Sequence, residues 1–119
     1  MARISIRIDF AADRRIGPGK VKLLEHIDEL GSIAAGGRAL GMSYRRAWLL
    51  IDELNSMFGH PVVVSRAGGT KGGSASLTPL GLNIIAHYRA IERAAASAAH
   101  THVKALDAEL ARSNRRKRP

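Results

Sequence analysis

Residues 32–58 read Ser-Ile-Ala-Ala-Gly-Gly-Arg-Ala-Leu-Gly-Met-Ser-Tyr-Arg-Arg-Ala-Trp-Leu-Leu-Ile-Asp-Glu-Leu-Asn-Ser-Met-Phe, and their reading decides the fold. Ser32 is placed to cap a short helix through Ile33, Ala34, Ala35 and Ala39 to Leu40, stopped by Gly41. Gly36 and Gly37 inside it each cost about 1 kcal/mol against alanine, which makes sense where two helices pack too closely for a side chain. Ser43 caps a following helix to about Phe58, with Ala47, Leu50, Ile51, Leu54 and Phe58 forming an apolar stripe at helical spacing. The opposite face opens with Tyr44 and Arg45, and Arg46 and Leu49 lie nearer the flank. The turn Leu40-Gly41-Met42-Ser43 joins two short helices at a steep angle and presents the first turn of the second outward.

Outward from this pair, Pro18 suits the first turn of an earlier helix. Val21, Leu24, Ile27 and Leu30 repeat along it, with Leu23 beside them, and Gly31 ends it. Before it, residues 3–10 alternate strictly, with Ile4, Ile6, Ile8 and Phe10 on one face, and predict a half-buried strand. Ala11 to Gly17 reads as a break. After Gly59, residues 61–66 form a β-branched strand. A glycine-rich polar loop then leads to a short strand at Ala75–Leu77, which makes a hairpin. Thr78 and Pro79 open a last helix to about Ala111. At about 1.5 Å per residue that helix is some 50 Å long, more than a small domain covers, so part of it must pack on something else.

The expected fold is mainly α with a small β wing: a winged helix-turn-helix with a long C-terminal dimerisation helix. The expected organisation is a winged helix domain over residues 1–91, a dimerisation helix over 79–111, and a basic disordered tail over 112–119. With 119 residues there is room for one ordinary domain. The absence of cysteine excludes disulfides, thiolate metal sites and cysteine nucleophiles. The longest apolar run, Ala47–Ile51, is far short of the roughly 20 residues a bilayer requires, and the first twenty residues carry charges where a signal peptide has an apolar core. A cytoplasmic protein without a membrane partner is expected.

Nineteen Lys and Arg against ten Asp and Glu give a net charge of +9, which points to a polyanion. The tail holds Arg112, Arg115, Arg116, Lys117 and Arg118 with no acid. Within the body, Arg38, Arg45 and Arg46, and then Arg66, Lys71 and Arg89, occupy two stretches free of acids. A helix start projecting from a glycine turn fits a major groove. Ser43, Tyr44, Arg45 and Arg46 are therefore the expected contacts to duplex DNA, an arginine fork matching guanine O6 and N7. Arg66 and Lys71 on the hairpin read as phosphate contacts that supply charge without sequence information. The run Gly68–Ser74 is not a nucleotide phosphate loop, because it leads to a strand rather than opening a helix.

Trp48, the only tryptophan, is expected to pack between the third helix and its neighbours. The five histidines share no ligand spacing, Asp52 and Glu53 diverge on their helix, and no nucleophilic arrangement stands out, so neither a metal, a cofactor nor an enzyme is expected. In the last helix Ile84, Tyr88, Ile91, Ala95, Ala98 and His102 form a narrow seam of three- and four-residue steps. Pairing of two copies there sets two recognition helices about 34 Å apart, one turn of DNA.

The segments Gly41–Trp48 and Val64–Gly81, together with Gly31–Ala34, closely resemble the amino-terminal DNA-binding domain of the ModE family of molybdate-responsive transcriptional regulators, related to the LysR-type winged helix. The resemblance runs from the first strand to about Ile91. It implies a homodimeric regulator that binds specific duplex DNA, with Ser43–Arg46 on the recognition helix and Arg66–Ser74, including Thr70, Lys71 and Ser74, as the wing. Regulators of this family continue into an oxyanion-binding domain. Nothing in these residues looks like it, so no molybdate site is expected within them. Two other readings remain open: an interaction module that pairs with a full-length regulator, and general nucleic-acid binding led by the basic tail.

Overall fold

The structure, a computed structural model, describes residues 2–66 and 73–116. Four helices form its body: α1 (Pro18–Leu30), α2 (Ile33–Ala39), α3 (Tyr44–Phe58) and α4 (Pro79–Arg116). Two antiparallel hairpins flank them, one of β1 (Ile8–Ala11) and β2 (Arg14–Ile16), the other of β3 (Val63–Arg66) and β4 (Ser74–Leu77). The protein is thus mainly helical, with two small sheets and a long C-terminal helix.

Local chemistry sets most of these ends. Pro18 opens α1, and Gly31 closes it with φ 73°, its N–H donating to Ile27 O at 2.8 Å. Ser32 Oγ accepts from the Ala35 N–H at 3.0 Å, and Ser43 Oγ accepts from the Arg46 N–H at 3.1 Å, so both serines cap as the spacing predicts. Gly41, at φ 68°, makes the bend between α2 and α3. The glycines inside α2 answer to packing. A Cβ on Gly36 would stand 2.7 Å from Ile27 Cγ1, and one on Gly37 would stand 3.1 Å from Ala47 Cβ. Helix α2 is therefore wedged against both α1 and α3.

Val21, Leu23, Leu24 and Ile27 of α1 meet Ala47, Leu50, Ile51 and Leu54 of α3, with Val62, Ile84 and Tyr88 completing the core. Lys20 is the one charged residue buried among those described. Its Nζ donates to Arg15 O at 2.9 Å and lies 3.4 Å from Glu53 Oε2, tying β2 to α3.

Three expectations need correction. The first strand begins at Ile8 rather than Arg3, and its partner is β2, in the stretch read as a break. Between the pairs Asp9↔Arg15 and Ala11↔Arg14 residue 10 is extra. This bulge reverses the alternation, so Phe10 is 58% exposed rather than buried. Second, α4 continues through Arg112 to Arg116, where a disordered tail was expected from residue 112. An ion pair between Arg112 and Glu109 and two arginines in the last turn, favourable to the carbonyl end of the helix dipole, support the extension.

The third concerns the seam. Ile84 and Tyr88 are only 7% and 2% exposed, because they pack into the chain's own core. Burial pushes the Tyr88 hydroxyl above its ordinary pKa, so it stays protonated and donates to Ile6 O at 2.7 Å. Neither side chain is available to a second copy. Past Tyr88 no residue of α4 is buried, and the helix projects from a molecule measuring 63 × 30 × 24 Å. None of the described helices is long and apolar enough to cross a membrane.

Main-chain bonds tie the hairpin β3–β4 to the helices and close its own base. The Ala75 N–H donates to Gly31 O at 2.8 Å, and the Thr78 N–H donates to Val62 O at 3.0 Å. A Cβ on Gly81 would collide with that Val62 oxygen, which lies in the backbone and cannot step aside alone. Gly81→Ala is expected to destabilise the fold by about 1–3 kcal/mol, as overpacking does, despite the better helix propensity of alanine. Thermal unfolding followed by circular dichroism should show a midpoint lower by roughly 5–15 °C; an unchanged midpoint would contradict the close approach.

Candidate nucleic-acid interface

The start of α3 stands clear of the body. Ser43, Tyr44, Arg45 and Arg46 are all exposed, because Ala47, Leu50, Ile51 and Leu54 turn the opposite face of the helix into the core. Among the described residues Arg38, Arg45, Arg46 and Arg66 take part in no ion pair. Arg89 differs. Its guanidinium holds Glu25 through two bonds, the Nε–H donating to Oε2 at 3.0 Å, and donates to Glu92 at 2.6 Å. These carboxylates hold Arg89 firmly charged, well above the ordinary arginine value. It clamps α4 to α1 and is not the unopposed cation that its stretch of sequence suggests.

Two side chains of α3 face the hairpin across a groove. The ring of Tyr44 meets Trp48 edge to face, with centroids 6.2 Å apart, and Trp48 is half-buried. Both line a groove of about 340 Å³ whose far wall is Ser65, Arg66, Gly73, Ser74 and Ala75 and whose floor is the start of α2. The structure thus brings Tyr44, Arg66 and Ser74 to one groove, while Ser43, Arg45 and Arg46 border an open concavity on the adjacent surface. Thr70 and Lys71 lie outside the described residues. Trp48 packs against the core as expected and also forms part of this surface.

Sequence reasoning set Leu49 toward the flank of the outward face and did not name Asp52 there; both belong to the exposed ridge. Both line the same concavity as Arg45, and Leu49 is 49% exposed. The helical period could have found them, since 45, 49 and 52 step by four and three. Along α4, Ile91, Ala95, Ala99, Val103, Leu106 and Leu110 continue the stripe outward, and Leu106 and Leu110 are 66% and 63% exposed. The expected seam stopped at His102 and omitted both leucines. Among the described residues no group of three His, Asp or Glu is gathered to hold a metal ion.

No protein-family model matches the chain. Known proteins do. It is 40% identical over 97 residues to the molybdenum-pterin-binding protein MopB of Rhodobacter capsulatus, covering 82% of this chain and 36% of MopB. It is 38% identical over 92 residues to the molybdenum transport protein ModE of Azotobacter vinelandii, covering 77% and 33%. Over 71 residues it is 41% identical to the DNA-binding transcriptional dual regulator ModE of Escherichia coli K12, covering 60% and 27%. The chain belongs to the ModE family. It spans about a third of the length of these relatives, so the ModE likeness bears on that part alone.

Proposed function

We propose that this ModE-family chain is a transcriptional regulator that binds specific duplex DNA as a homodimer, using α2 and α3 as a helix-turn-helix and β3–β4 as its wing. The carrying observation is the exposed first turn of α3, where Arg45 and Arg46 stand without carboxylate partners among the described residues. The E. coli relative is named a DNA-binding regulator, which supports the reading. Two relatives named for molybdenum transport and molybdenum-pterin binding favour control of molybdenum-related genes inside the cell. Dimerisation rests on the bare outer half of α4, whose Ile91, Ala95, Ala98 and His102 remain on the surface with Leu106 and Leu110 beyond them.

Enrichment of bound duplexes from a random pool, followed by fluorescence anisotropy on the winners, tests the proposal. Affinity at least a thousandfold, about 4 kcal/mol, above that for random duplex is the expected mark of a specific regulator. Equal and weak binding to every duplex would instead favour the general nucleic-acid reading. Arg46 sits toward the flank of α3, where a phosphate is the nearer target. Arg46→Ala is expected to weaken binding to all sequences alike and to reduce the slope of log affinity against log salt by about 1 for each phosphate left without its cation. A loss confined to one sequence, with the slope unchanged, would give Arg46 a base-reading role.

A further inference from the structure

The outward ridge of α3 is built from three different chemistries. Taking 100° per residue, Arg45, Leu49, Asp52 and Ser56 fall on the line opposite Ala47, Leu50, Ile51 and Leu54, and all four are exposed. A single exposed leucine is ordinary on a protein surface. This one lies on the face proposed to enter a groove, one turn from Arg45 and one turn from Asp52, and half of its surface is bare. Guanidinium donors, an aliphatic tip and a carboxylate acceptor thus follow one another along the helix.

Resting on the DNA-binding reading above, we infer that Leu49 determines sequence specificity by contacting the 5-methyl group of a thymine. That methyl is the one apolar group that base edges display in the major groove. A polar edge facing Leu49 would lose its water without gaining a hydrogen bond, whereas a methyl gains by leaving water. Asp52 adds to the discrimination, because a carboxylate on this ridge repels phosphate and base acceptors and tolerates the cytosine amino group. Four residues of helix advance about 6 Å, and base pairs repeat every 3.4 Å or so along the duplex. With α3 lying along the groove, the thymine stands one or two base pairs from the guanine read by Arg45.

The experiment uses the full chain and a duplex enriched from a random pool, in which each thymine is replaced in turn by deoxyuridine. Uracil keeps the base pair and removes only the methyl. Burial of one methyl-sized group corresponds to roughly a fourfold change in affinity. Uracil at one thymine in each half-site is therefore expected to weaken binding about fourfold per site, and Leu49→Ser is expected to bind the two duplexes equally. Insensitivity of the unaltered chain to uracil at every position overturns the inference without needing any variant. So does a Leu49→Ser protein, folded by circular dichroism, that still prefers thymine. Failure to enrich any duplex would overturn the DNA-binding reading as well; enrichment of a methyl-blind binder overturns this inference alone.

Discussion

The double variant Leu106→Glu/Leu110→Glu is expected to run as a monomer in size-exclusion chromatography with light scattering, and the unaltered chain is expected to run as a dimer. Each leucine buried at an interface contributes about 1.5–3 kcal/mol, and a twofold seam contains both residues twice. Replacing them with carboxylates removes that gain and sets like charges against each other. Both side chains lie well beyond the part of α4 that packs on the core, so the helical circular dichroism spectrum should persist. Affinity for a two-half-site duplex should fall by about 10²–10⁴, the usual advantage of joining two binding units, while binding to a single half-site changes little. A dimer that survives both charges would place the partner surface elsewhere.

Arg45→Ala should produce the next largest loss. The side chain occupies the centre of the exposed ridge and has no carboxylate neighbour within the described chain to satisfy its fork. A bidentate guanine contact is worth about 1–3 kcal/mol, and a homodimer makes it twice, so the loss on the enriched duplex should lie between about thirtyfold and the order of 10⁴-fold. Binding to random duplex should decline far less, which lowers the ratio between the two. Arg45→Lys should recover charge but little selectivity, because an ammonium lacks the planar fork. Equal losses on enriched and random duplexes would reduce Arg45 to a phosphate contact.

The helical framework was legible because its signals are local. Ser32, Ser43, Gly31 and Gly41 each act through a hydrogen bond or a backbone angle within a few residues, and the buried face of α3 follows from its own period. Non-local facts were not legible. The pairing of β1 with β2 hides behind the charged Arg14–Arg15 pair and the bulge at residue 10, neither of which alternates. Periodicity shows which side of α4 is apolar but not what covers it, so Ile84 and Tyr88 looked alike with Ile91 although the core takes the first two. The exposure of Ser43–Arg46 could be read from the stripe opposite them. The groove that joins Tyr44 to Arg66 and Ser74 could not, because it depends on where the hairpin docks. Arg89 gave no hint of its bond to Glu25, 64 positions away.

Gly31 has two duties: its amide closes α1, and its carbonyl receives the amide of Ala75. The far end of the described β-ribbon, one pair short of Arg66 and Ser74, is thereby fastened to the joint where the first two helices meet. A ribbon tethered only through its own strands would swing freely and adjust to many duplex widths. Here, tilting the strands breaks a main-chain bond at the same joint that aims α2, so on the proposed DNA-binding reading backbone stiffness limits how far the ribbon and α3 can spread around a bent or widened duplex.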